Sequence, residues 1–594
     1  MVSERYNSCG KRSLVQKASL MARSQFPHPL TNPFRSTLDP RWTARYSQIN
    51  ILLQPCVRQG RYSGNRGRRG RGSRNSAGRG NTNPYRNVAI NSHLLVVFDF
   101  NEHRMSLPFT RCIFPDFTVS FTAFSEKVAM TYAESSNIHS PVDAVRQPAG
   151  VFSPSVWGDY FITHTPMPSS EISKLNILKE KIKKRIDELK DVIKKQLRDA
   201  SDLLQSLEMI DAIQHLGVAY HFEFEINDAL KKIHRDGYEE SKDLHTIALG
   251  FRLLRQQRFP ISADIFNKFM DKEGDFKESL KHDAKALLSL YEAAHLGTPN
   301  EKILENAAKF TRTYLKLLLG TMDPNFATIT SRSLETPRFR RTERLEAREY
   351  LSIYAEEKTR SELLLEFAKL DYHLVQSIHL EELLHITLWK NSMALSENLP
   401  FARDRFVELH FWMIGAYFEP CYSRARIMTT KLLILTSILD DIYDQYGTLE
   451  ELELLTEKIE RWELEGVDQL PKYLQHFCIV LYKTFNDLED ELSFEQNSFR
   501  MQFLKKEMKK LAHAYFDETR WGNQHYIPSM QEHLRISLLS CAYPMLFCAT
   551  FVGMYEVIPS NAFEWVTEFP EIVKASCFIC RVMNDITSDE VSFI

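Results

Sequence analysis

The sequence predicts an all-α protein, two helical domains behind a basic and unstructured head. Three observations carry that prediction. Between residues 170 and 197, Ile182, Ile186, Leu189, Ile193 and Leu197 recur at helical spacing with Lys and Asp filling the opposite side. Similar patterns continue to about residue 351 without strand-like alternation of useful length, and a second helical set runs from about residue 361 to the end. The charged, Arg-rich stretch 337–348 lies between the two sets. The expected domains are therefore 1–129, 130–350 and 351–594, the last two each with a helical core.

The head stands apart in charge. Residues 1–97 hold 17 Lys and Arg against Glu4 and Asp39, which leaves 58 basic and 75 acidic residues for the rest. Its tract RQGRYSGNRGRRGRGSRNSAGRGNTNPYR is low-complexity Arg, Gly and Ser and cannot form a core. Electrostatic contact with RNA is one reading of it, and a plastid transit peptide is another. The reading adopted is a disordered segment, or one foreign to the natural protein, with Met130 as the natural start. Residues 88–124 have the composition of short strands but no partner strands follow. The acidic body gives nucleic acid nothing to bind, and none is expected as a partner.

In the body, Gly237, Gly250, Pro260, Gly274, Gly297 and Gly320 punctuate the helical pattern. The nine cysteines are scattered. Cys577 and Cys580 form a C-x-x-C, but in an apolar helical run, so buried thiols are expected rather than a redox pair. Residues 536–555 are twenty without a formal charge. Ser537, Ser540, Cys541, Pro544 and Thr550 interrupt them, so a buried helix is expected and no membrane association.

The chemistry concentrates in KLLILTSILDDIYDQYG, residues 431–447. Asp440 and Asp444 are four apart, hence stacked on one helix side, with Asp441 flanking them. Carboxylates at a helix C-terminus meet the negative end of the dipole and call for a cation. Oxygen ligands without Cys or His suit Mg²⁺, with Mn²⁺ as the alternative. Upstream, LPFARDRFVELHFW offers Arg403 and Arg405, suited to gripping a diphosphate, and Trp412, whose face can stabilise a cation. Downstream, RVMNDITS places Asn584 and Ser588 four apart, with Asp585 adjacent and Arg581 about one turn earlier. Two such walls facing each other would hold a diphosphate between metal ions.

The ordered run ARDRFVE, FEPCYSRAR and ILDDIYDQYGTLEELELLTEKIERWE, with SPSVWGDYF near Trp157, resembles the plant terpene synthases, especially their sesquiterpene branch. The resemblance covers residues 130–588. It implies an N-terminal α-barrel-like domain without chemistry and a C-terminal class I terpenoid-synthase bundle. It implies Asp440, Asp441 and Asp444 as the aspartate-rich metal motif, and Asn584 and Ser588 as ligands of a second. Arg403, Arg405 and Arg581 match diphosphate-contacting positions, Trp412 a cavity aromatic, and Ser540, Cys541 and Ala542 a helix break whose carbonyls face a developing cation. No DxDD motif occurs in the first domain, so protonation-initiated cyclisation is not implied. The implied enzyme is a monomeric, cytoplasmic lyase acting on a prenyl diphosphate, farnesyl diphosphate first. A plastid form using geranyl diphosphate is the alternative, should the head be a transit peptide.

Three departures from the family pattern temper this. Where the second metal motif continues to a Glu, this chain has Ser592, and Glu590 lies roughly 200° around the helix from it. Family members continue past the position of Ile594 through helices and a loop over the pocket mouth, so a weak or inactive, synthase-like protein is the competing expectation. VRQPAG keeps only Arg146 of a paired arginine, which leaves the docking of the N-terminal arm open.

Overall fold

In the computed structural model the backbone is described for residues 155–164, 169–298, 300–493, 499–554 and 558–591. Side chains 164–177, 493 and 585–591 are not described. The head, Met130, Arg146 and Ser592 therefore lie outside the described residues, as do the side chains of Asp585, Ser588 and Glu590. Among the described residues every regular element is a helix, and a lone bridge joins Met270 to Phe276.

The first core is built by α1 (Ser169–Asp199), α2 (Leu203–His215), α3 (Leu244–Gln256), α4 (Ala284–Ala294), α5 (Lys302–Leu318) and α6 (Glu343–Glu356). α1 buries Ile186, Leu189, Ile193 and Leu197 on one side, with Ile182 half-buried beside them. Aspartates start the helices. The Asp202, Asp243 and Asp283 carboxylates accept from first-turn N–H groups at 2.7, 2.8 and 3.0 Å, starting α2, α3 and α4. Gly250 does not punctuate the pattern. It lies inside α3, where a Cβ would meet the Tyr238 ring at 2.7 Å, so close packing explains the glycine. Residues 337–348 run into α6, whose Ala347 and Arg344 are buried.

α7 (Glu362–Ser392) serves both cores: Leu364, Leu365 and Phe367 belong to the first, and Leu383, Ile386 and Trp389 to the second. The second continues through α8 (Phe406–Ala416), α9 (Ser423–Asp441), α10 (Leu449–Arg461), α11 (Lys472–Ser493), α12 (Phe499–Asn523), α13 (Met530–Ser540), α14 (Tyr543–Val552) and α15 (Glu571–Val591). Phe161 crosses over to this core. Its ring lies 5.9 Å from Phe406 and 5.7 Å from Trp157, anchoring the 157–161 arm over the start of α8.

The long apolar stretch is not one helix. Residues 530–552 have the length and hydropathy of a membrane span, but they break between α13 and α14 and are mostly buried in the second core. Cys577 and Cys580 are buried there too, and burial holds the Cys577 thiol well above its ordinary pKa.

Candidate active site

α9 is buried around nearly its whole girth, polar Arg426, Thr429, Thr430 and Thr436 included, so it runs through the middle of the bundle and delivers its last residues to a buried end. Asp440 is 3% exposed and Asp441 1%, whereas Asp444 is exposed. The difference follows from the helix end. Residues 442–446 form a π turn, closed by the Gly447 N–H donating to the Ile442 carbonyl at 2.9 Å. A Cβ at Gly447 would lie 2.6 Å from Leu452 Cδ2, so any larger residue at this turn into α10 would have to displace the buried Leu452 side chain. The α-helical stacking expected for Asp440 and Asp444 is thereby relaxed. Asp444 reaches solvent while Asp440 stays inside.

Arg403 meets the buried pair. Its backbone N–H donates to Asp441 Oδ2 at 2.8 Å and its Nη2 to Asp440 Oδ2 at 2.8 Å. The same Nη2 lies 2.6 Å from Asp441 Oδ1 as an ion pair, but that oxygen has no well-aligned hydrogen bond. Burial works against the charged guanidinium, yet Asp441 and Asp440 outweigh it and raise its pKa. Burial also pushes the Asp441 carboxyl up, and Arg403 offsets this only in part. One cation thus serves two buried carboxylates.

The two arginines of the R-x-R part company here. Arg403 is engaged by the aspartates. The guanidinium of Arg405, half-buried just ahead of α8, is committed to no hydrogen bond or ion pair among the described residues. Its donors remain for a ligand. Trp412 lies further along the same helix, half-buried against the second core.

α12 completes this wall with residues that the spacing arguments did not single out. It packs against the π turn, α13 and α14. The Tyr515 hydroxyl is buried without a hydrogen-bond partner among the described residues. Burial, then the charges of Asp440, Asp444 and Glu518, hold that phenol well above its ordinary pKa. Thr519 Oγ1 donates to the Tyr443 carbonyl at 3.1 Å and ties α12 to the π turn. Tyr515 and Glu518 are three apart, a polar pair on one side of a helix, and that spacing was the available signal.

The helix break is where the sequence placed it. The Ser540 hydroxyl donates to Glu518 Oε1 at 2.8 Å, Ala542 has φ 64°, and Pro544 follows. Pro544 has no N–H to return to the Ser540 carbonyl, so that acceptor is left without its helical donor. Cys541 is buried beside it. On α15, which packs on α13, Asn584 is buried and Arg581 half-buried.

The donor set fits a hard divalent cation. Asp440 and Asp441 share the Arg403 guanidinium, Asp440, Asp444 and Glu518 all act on the Tyr515 phenol, and Asp441 Oδ1 and the Tyr515 hydroxyl are buried without aligned partners. No three His, Cys, Asp or Glu among the described residues converge on one point to cage an ion alone. An ion here takes oxygens from water or ligand, as Mg²⁺ does. Two hollows elsewhere are not lined by these carboxylates: one of about 530 Å³ at His385, Arg424 and Lys431, and one of about 1190 Å³ inside the first domain.

A family model described as "Terpene synthase family, metal binding domain" matches residues 391–592, and one described as "Terpene synthase, N-terminal domain" matches 156–334. Alpha-humulene synthase of Zingiber zerumbet is 47% identical over 439 residues, covering 74% of this chain and 78% of that one. Valencene synthase of Vitis vinifera is 44% identical over 449 residues, covering 74% and 79%. Among solved structures, limonene synthase with 2-fluorolinalyl diphosphate superposes with TM-score 0.66 at 32% identity, covering 71% of this chain and 78% of that one. Isoprene synthase from grey poplar leaves (Populus x canescens), in complex with three Mg²⁺ ions and dimethylallyl-S-thiolodiphosphate, gives 0.63 at 34%, covering 66% and 76%. Arg403, Arg405, Trp412, Asp440, Asp441, Asp444, Arg581 and Asn584 all fall within residues 391–592, the matched metal-binding domain, and that domain implies use of a divalent metal. With both domain models matched in order and relatives at this identity along three quarters of its length, the chain belongs to the plant terpene synthase family.

Proposed function

We propose that this protein is a sesquiterpene synthase that ionises farnesyl diphosphate and cyclises the resulting cation. The observation that carries the proposal is the pairing of a carboxylate-rich helix end with an uncommitted Arg405 at the rim of an apolar bundle. Relatives named as alpha-humulene and valencene synthases favour the fifteen-carbon substrate.

In this reading the allylic C–O bond breaks heterolytically, its electron pair leaving on the diphosphate oxygen. Arg405 and Arg581 bind the leaving group through charge-assisted hydrogen bonds, and Arg403 keeps Asp440 and Asp441 aimed at it. Mg²⁺, or Mn²⁺ in its place, supplies Lewis-acid charge to the leaving diphosphate when held by Asp440, Asp441, Asp444 and Asn584. Trp412 offers a π face and the Ser540 carbonyl a fixed dipole to the allyl cation. The apolar walls of α8, α9 and α14 keep water from quenching it early. The internal alkene attacks the cation, and loss of a proton ends the sequence. We place the enzyme in the cytoplasm as a monomer.

Incubation of the purified chain with farnesyl diphosphate or geranyl diphosphate and Mg²⁺, followed by gas chromatography of an organic extract, tests this. C15 hydrocarbons or alcohols from the farnesyl substrate are expected. Products from geranyl diphosphate alone would move the assignment to monoterpenes.

A further inference from the structure

We propose that Lys390 is a positioning residue that keeps the Asp404 carboxylate off Arg405, so that Arg405 remains available to the diphosphate. The inference rests on the function proposed above.

Asp404 sits between two arginines whose tasks differ. Arg403 is held by Asp440 and Asp441. The Arg405 guanidinium is uncommitted, and the carboxylates closest to it in the chain are the adjoining Asp404 and, one turn on, Glu408, which feels its charge. Glu408 is a weak competitor, because burial raises its carboxyl pKa, and its Oε2 is buried with no hydrogen bond. Asp404 is the stronger one, because it is three-quarters buried and would fold back on the neighbouring guanidinium if left alone.

Lys390 prevents this from a different helix. It stands near the end of α7, 7% exposed, with its Nζ 4.7 Å from the centre of the Phe406 ring and 2.6 Å from Asp404 Oδ2. A lysine is seldom buried this deeply without a fixed partner, and Asp404 is the one anion in salt-bridge reach of it among the described residues. The pair fixes the loop ahead of α8 to the end of α7, one end of the loop that presents Arg403 to Asp440. It also neutralises the charge between the two arginines.

Binding of inorganic diphosphate in the presence of Mg²⁺, measured by calorimetry on the full chain, reads this directly, with farnesyl diphosphate turnover alongside. Lys390→Met is expected to weaken diphosphate binding and raise KM by roughly tenfold or more, the scale of one charge-assisted hydrogen bond. Lys390→Met combined with Asp404→Asn removes the competing carboxylate as well and is expected to return to within about threefold of the native protein. Lys390→Arg, which keeps the charge, is expected to bind as the native protein does. Should Lys390→Met fail to fold, Lys390→Gln keeps a donor to Asp404 without the charge and is expected to bind several-fold more weakly than native. A packing role alone would give a double variant as weak as Lys390→Met, and that result overturns the proposal. So does folded Lys390→Gln binding diphosphate like the native chain. If the native protein neither binds Mg²⁺ with diphosphate nor consumes a prenyl diphosphate, the proposed function fails and takes this inference with it.

Discussion

The Arg403 guanidinium and the Asp440 carboxylate meet at 2.8 Å, both almost wholly buried, at the end of the central helix of the second domain. A buried pair is weak evidence of stability, but breaking one is costly, because the surviving charge keeps its desolvation penalty. Arg403→Met leaves two buried carboxylates with no cation. It is expected to destabilise the second domain by about 3 kcal/mol or more in urea unfolding at neutral pH. Added Mg²⁺ is expected to recover part of that loss.

Arg405 should behave oppositely. With no hydrogen bond or ion pair to its guanidinium among the described residues, its replacement by Met breaks no such contact in the fold. Thermal unfolding is expected to shift by no more than about 2 °C, while kcat/KM for the prenyl diphosphate falls roughly tenfold to a hundredfold. Comparing the two variants by calorimetry and steady-state kinetics separates the arginine that builds the site from the one that uses it.

Much of this was legible from residue spacing. Ile186, Leu189, Ile193 and Leu197 announced α1, and the Asp440–Asp444 string announced the acidic end of α9. What spacing does not carry is register within a turn. The π turn at 442–446 and the α-helix expected there share one sequence pattern, so the inward Asp440 and outward Asp444 emerge only from the coordinates. Arg403 and Arg405 look equivalent in the sequence because their difference lies in partners 37 and 38 positions away in the chain. Tyr515 carries no distinct sequence signal beyond its spacing from Glu518, because the polar pattern of α12 ahead of it is dominated by lysine. Gly250 differs from the expectation because a glycine kept for close packing has the same sequence signature as one kept for a turn.

Ala542 is held at φ 64°, a region that costs an L-residue about 1–2 kcal/mol. Ala542→Gly relieves that strain at some cost in unfolded-state entropy, so a net gain of about 0.5 kcal/mol is expected in chemical denaturation. Ala542→Val adds β-branching where it is least tolerated and is expected to lose about 1 kcal/mol or more. Because the change also moves the Ser540 carbonyl, its product mixture should differ from the native one by gas chromatography.

Stability should fall on mild acidification. Burial lowers the His410 pKa to about 4; Glu382, 3.3 Å away, opposes this, and Arg426 reinforces it. His379 packs beside it and is likewise depressed, first by burial. A histidine held neutral in the fold takes up its proton more readily when unfolded. Its contribution is therefore complete above about pH 6.5 and is lost as pH falls toward 4. The loss from His410 alone approaches roughly 3 kcal/mol. Urea unfolding at pH 7 and pH 5 checks the sign, and His410→Gln should flatten the slope.

The central claim is that the carboxylates at the end of α9 act through a divalent cation on a prenyl diphosphate. Product formation from farnesyl diphosphate, titrated with Mg²⁺ and then with chelator, measures it most directly. The account predicts C15 products that rise with Mg²⁺, vanish with chelator, and drop at least about a hundredfold in Asp440→Asn. Product formation indifferent to chelator, or unchanged in Asp440→Asn, would contradict it.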